Sequence, residues 1–161
     1  MKNWVYAGGV VLFLLVVGFV AVPAAMDYQN DQAYLTVWGQ ANTELTGIYA
    51  DCLKMGQAKA FASAGKTATN LSVRTKYWYD KLSPMPVSKN MADSKTARMQ
   101  ALTEEIAFAD GWAAGLPKLI DGERDKNLPD LMSSMSDIRG ASEHQTRMIQ
   151  YTKMADDSLP K

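Results

Sequence analysis

Residues 34–55 read YLTVWGQANTELTGIYADCLKM. Within them Tyr34, Trp38, Ala41, Leu45, Ile48, Cys52 and Met55 recur at alternating steps of four and three. A helix places residues three and four apart on one face, so this spacing predicts one apolar stripe on an α-helix. Gly56 is a natural end for it, Gly65 is a second candidate, and a single helix running through both is the third arrangement the residues allow.

The same rhythm returns three times. Phe61, Ala64, Ala68, Leu71, Thr75, Trp78 and Leu82 form a second series, which stops at SPMP because Pro84 and Pro86 forbid continuation. Met99, Leu102, Ile106, Ala109, Ala113 and Leu116 form a third, closed by Gly115 and Pro117. Residues 121–126, DGERDK, then read as a charged loop. Leu128, Leu131, Met135, Ile138, Ser142, Gln145, Ile149 and Thr152 form the fourth, with Asn127 as cap and Pro129 in the first turn. No strand-like alternation of any length occurs. The expected fold is all-α: an N-terminal transmembrane helix followed by an antiparallel bundle of about four helices.

The transmembrane expectation comes from Trp4 to Ala25, a run with no charged residue. Twenty-two residues span roughly 33 Å as a helix, the thickness of a hydrocarbon core. Trp4 and Tyr6 sit at one end, where aromatic rings favour the interface. A cleaved signal ending at Val22-Pro23-Ala24 is the competing reading, but its apolar region would be shorter. Lys2 precedes the run, and no Lys or Arg follows it until Lys54, so the positive-inside rule puts the N-terminus in the cytoplasm and the body outside. Residues 1–25 are thus the anchor and 26–161 the extracytoplasmic bundle, periplasmic or extracellular, with no flexible linker between them.

Composition narrows the function classes. The 161 residues carry 17 basic and 17 acidic side chains, and this balance argues against nucleic acid as partner. One cysteine, Cys52, allows no internal disulfide, and one histidine, His144, allows no multi-histidine metal site. Cys52 on the first stripe reads as a buried small hydrophobe, with a disulfide between protomers as the alternative. Glu104-Glu105 and Asp156-Asp157 are adjacent pairs; neighbours on a helix point apart, so they read as solvated faces. No phosphate cradle, nucleophile elbow or zinc-type histidine pair occurs, and no cofactor or catalysis is expected.

Two surfaces stand out. Tyr77, Trp78 and Tyr79 are flanked by Arg74, Lys76 and Lys81, and the second helix returns towards the membrane. With Met85 in the turn beyond, this cluster is a candidate membrane-interface surface alongside Trp4 and Tyr6. The fourth stripe turns polar after Ile138, which makes Ser142, Gln145 and Thr152 a candidate partner surface.

The layout resembles the LemA family. Trp38-Gly39-Gln40 with Leu45 resembles the tryptophan-containing start of that family's first long helix, and Leu116-Pro117-Lys118-Leu119 and Leu159-Pro160 fall in similar places. The family's double arginine and Asp-Leu-Ile-Pro-Asn-Leu segment are absent; Tyr49 to Met55 reads YADCLKM. The resemblance implies a membrane-tethered helical protein without established catalysis. Phage inner-membrane spanins share the single span and helical body, but favour extended coiled coils. The expected function is a membrane-anchored scaffold or accessory protein of the cell envelope, with membrane lipid, other envelope proteins and a second copy of itself as partners. A spanin-type lysis protein and a ligand-sensing bundle are the alternatives.

Overall fold

The structure, a computed structural model, describes the backbone of residues 3–159 and the side chains of residues 23–159. Four helices follow one another: α1 (Asn3–Gln57), α2 (Phe61–Leu82), α3 (Ala92–Asp125) and α4 (Leu128–Asp157), with a short 3-10 turn at Lys89–Met91 before α3. Each of the last three packs on its predecessor, while α1 and α4 do not come together along their length. The result is an up-down-up-down bundle with one open seam. Among the described residues no helix is long and apolar enough to cross a membrane. The expected span lies outside the described side chains except for Pro23, Ala24 and Ala25, as do Trp4 and Tyr6.

The first stripe faces the core as its spacing predicts. Tyr34, Ala41, Leu45 and Cys52 are buried, with Trp38, Ile48 and Met55 at the flanks. The helix ends near Gly56, yet that glycine is not what turns the chain. Ala60 donates its backbone N–H to Met55 at 2.9 Å and Lys59 donates to Gly56 at 3.0 Å, a two-bond cap with Lys59 in the left-handed conformation at φ 57°. Gly56 is small for another reason: a Cβ there would stand 2.8 Å from the Trp112 ring. Gly65 lies inside α2. The α2 stripe is buried from Ala64 to Leu82, with Phe61 half-buried, and Ser83 closes it just before Pro84.

Two expectations are corrected in the second half. Helix α3 does not stop at Gly115–Pro117; it runs on to Asp125, so residues 121–125 of the expected loop are its last turn and Lys126 is its left-handed cap. Pro117 costs the bond to the Ala113 carbonyl, but packing on both sides of it holds the helix straight through. A Cβ at Gly115 would lie 2.9 Å from Ile138 and 3.2 Å from the Ser134 carbonyl, and one at Gly122 would lie 2.9 Å from Leu131. One at Gly111 would lie 3.0 Å from the Ala141 Cβ. Glycines at 111, 115 and 122 thus form a groove along α3 into which α4 settles, and Ser134 Oγ donates across it to the Gly115 carbonyl at 2.9 Å.

This close fit also rotates α4. The helix turns three small residues, Ser134, Ala141 and Ala155, to the interface, about one residue (roughly 100°) away from the predicted stripe. Leu131, Ile138 and Gln145 remain at the flank. Leu128, Met135, Ser142, Ile149 and Thr152, expected inward, are exposed.

Two backbone effects of opposite sign follow. Gly115→Ala should lower the unfolding free energy by about 1–3 kcal/mol, because the methyl group meets backbone and a branched side chain. Lys59→Gly should raise it by roughly 0.5–1 kcal/mol by removing a left-handed β-carbon. Denaturant titration of the two variants beside the parent checks both.

Candidate functional site

The open seam between α1 and α4 is a groove of about 600 Å³. Trp38, Leu45 and Tyr49 from α1 form one wall, and Met148, Ile149 and Thr152 from α4 form the other. Ala101, Leu102 and Glu105 of α3 make the floor. One end is closed by Gln145, whose Nε2 donates to the Tyr49 hydroxyl at 2.5 Å, and by Tyr49 packed on Phe108 and Phe108 on Trp112 at centroid separations of 5.3 and 5.2 Å. The other end carries Lys153, Asp156 and Asp157.

Glu105 is the unusual member of the floor. It is 7 % exposed, and burial pushes its carboxyl up from the ordinary 4.5 to about 7. Its polar contact is Thr75 Oγ1 at 3.2 Å, and that oxygen also lies 2.8 Å from the Leu71 carbonyl. The single hydroxyl hydrogen satisfies the nearer Leu71, which leaves an Oγ1 lone pair to accept a hydrogen bond from the O–H of a neutral Glu105. As an adjacent pair, Glu104 and Glu105 are expected to be solvated. The rotation between neighbours was right, but it turns Glu104 outward and Glu105 into the bundle. Charge alone carries no signal of this; the apolar flanks Leu102, Phe108 and Ala109 were the available clue.

Glu104 forms the outer cluster. Its Oε2 lies 2.6 Å from His144 Nδ1 and accepts from Arg147 Nε at 3.0 Å, and these partners outweigh desolvation to hold its carboxyl below the usual range. His144 is therefore a hydrogen-bonded surface histidine. No group of His, Cys, Asp and Glu among the described residues could hold a metal ion. Cys52 is fully buried with Sγ 3.6 Å from the Ala64 carbonyl, and burial pushes its thiol up to about 11, so the folded chain cannot offer it to a partner protomer.

The aromatic cluster is divided. Trp78, expected at a membrane interface, is 6 % exposed and donates its indole N–H to Glu44 at 3.0 Å, so it faces the bundle. Arg74 pairs with the same Glu44 and stacks over Tyr77 at 4.6 Å. Tyr77 is exposed, and Tyr79 is half-buried against the core. Met85 also packs on the core, in a turn pinned to α1 by Ser88 N–H on Asp31 at 2.8 Å. Of the proposed partner surface, Gln145 and Thr152 lie at the seam, whereas Ser142 is exposed outside it and bonds back to the Ile138 carbonyl at 3.1 Å.

Glu105 makes the fold pH-sensitive with a definite sign. The folded chain keeps a proton that the unfolded chain releases above 4.5, so stability falls as pH rises from about 4.5 to about 7, then levels off. Glu105→Gln should abolish that part of the slope and exceed the parent at pH 8 by up to roughly 3 kcal/mol. Urea denaturation of both proteins from pH 4 to 9 measures the difference, in which the other carboxylates cancel. No protein family, curated protein or solved structure matches the chain.

Proposed function

We propose that the protein is a membrane-anchored helical scaffold or accessory protein of the cell envelope, with its N-terminus inside and its bundle outside. The observation that carries this reading is the junction. The uncharged run Trp4–Ala25 leads into the first bundle helix with no break in α1, and residues 23–29 are exposed all round. Asp31, which accepts the Ser88 N–H, lies about 9 Å further along the helix than Ala25. A helix that leaves a bilayer and carries its bundle without a hinge holds that bundle at a set height. Confinement to a thin layer raises its effective concentration for membrane-bound partners.

This geometry moves the lower interface residues. Tyr28 at 66 % exposure and Met26 at 58 % lie on the bare neck, a few ångströms beyond Ala25, where headgroups would be. Glu44, which holds Arg74 and Trp78, is about 28 Å beyond Ala25 along the same helix, well clear of a headgroup layer. Trp4 and Tyr28 are 24 residues apart, roughly 36 Å, and would bracket the bilayer. Resemblance to the LemA family supports the same layout. The folded-back helices favour it over an extended spanin.

A second reading, a ligand-binding bundle, is favoured by one feature: the α1–α4 groove with its buried carboxyl. It is compatible with the tether.

In cells, the full chain should resist alkaline extraction from membranes, and protease added from outside should remove residues near Lys161. Cross-linking in the native membrane should then recover other envelope proteins. A mature chain starting near Ala25, or a C-terminus shielded in the cytosol, would refute the tether.

A further inference from the structure

Two buried nitrogens among the described residues, Arg98 Nε and Arg98 Nη1, have no acceptor, and the nearest polar neighbour of the buried Tyr34 hydroxyl is that same guanidinium. They gather at one spot. The Arg98 guanidinium stands 5.9 Å from the Tyr34 ring centroid and 5.0 Å from that of Trp38. Arg98 is 3 % exposed, a charge buried with most of its donors unmet. Such burial is costly unless an acceptor arrives.

The spot adjoins the open end of the groove. Trp38, which covers Arg98, lines the groove, and so does Asp156, whose Oδ1 is 4.0 Å from Arg98 Nη2. That contact is too long for a hydrogen bond, and the Asp156 side chain is 68 % exposed, so it can swing away. From α1, Asp31 is engaged by the Ser88 N–H. From α3, Lys95 is engaged by the Ser83 and Met85 carbonyls. From α4, Lys153 and Asp157 line the groove beside Asp156. Donors without acceptors select an anion. Asp157 beside Asp156 repels added negative charge, so an anion of low charge is the least opposed there. The groove leading away is apolar along Leu45, Leu102, Met148 and Ile149, and its volume of about 600 Å³ lies in the range of small-molecule sites.

We propose that this seam binds a long-chain carboxylate, its head on the Arg98 guanidinium in place of Asp156 and its alkyl chain along the groove. Asp156 is the internal placeholder that the ligand displaces. The proposal deepens the ligand-binding reading and rests on it, but not on the direction in which the chain threads the membrane.

The test uses the full chain in bilayer nanodiscs with dodecanoate labelled with carbon-13 at the carboxyl. A protein-bound resonance separate from that of bilayer-dissolved dodecanoate is expected. Arg98→Gln should weaken binding at least about tenfold, and Asp156→Asn should tighten it by roughly two- to fivefold. Dodecanamide and acetate at equal concentration should not displace the label. Absence of a bound resonance overturns the proposal, as does its survival in Arg98→Gln or its displacement by dodecanamide or acetate. Where Arg98→Gln fails to fold, Asp156→Asn decides: an affinity unchanged or lowered refutes the placeholder. Empty groove spectra beside a confirmed N-in topology would remove the ligand reading and leave the scaffold standing.

Discussion

The approach of α4 to α3 across Gly111, Gly115 and Gly122 is the constraint from which the rest of the bundle follows. Helices whose contacting residues have no side chain come closer than those separated by leucines, and backbone atoms then set the register. Here the Ser134 hydroxyl reaches the Gly115 carbonyl, and Ile138 and Leu131 occupy the space that β-carbons would fill. A close fit of this kind admits one rotation of α4. The rotation that satisfies it buries Ser134, Ala141 and Ala155, and leaves larger residues such as Met135 and Ile149 outside.

The groove is a consequence of that choice. Because α4 is drawn on to α3, it stands off α1, and the fourth interface of a closed bundle is missing. What a closed bundle would seal is left as a seam floored by α3. Glu105 is buried there by the two flanking helices without a cation opposite it, which is why its proton is retained near neutrality. Arg98, seven residues earlier and two turns away, is on the same side of α3 and is covered by Tyr34 and Trp38. An acid and a base are thus buried on one helix face without pairing with each other. A bundle built for stability alone would place leucines there.

The long α1 reaches beyond the bundle it helps to build. Its second half supplies the Tyr34–Cys52 stripe, and residues 23–29 are all exposed. A continuous helix transmits orientation as well as position, which a flexible linker would not. Pinning the α2–α3 turn to Asp31 places the lower edge of the bundle at the neck.

The all-helical class, the number of bundle helices and the core faces of α1 and α2 were legible in the sequence. Heptad-spaced apolar residues admit one inward face where helix partners are ordinary, and Pro84 ends α2 whatever surrounds it. The uncharged run Trp4–Ala25 was equally plain as a pattern. The extent of α3, the rotation of α4 and the burial of Arg98 and Glu105 were decided by the tertiary structure. Gly115 and Pro117 are local stop signals, overridden because α4 packs on both sides of them. Met135 outranks Ser134 in hydrophobicity, yet only the smaller residue fits against glycine. Hydrophobic periodicity registers how much a side chain gains by leaving water; it does not register how near two backbones can come, and in this protein nearness selected the face.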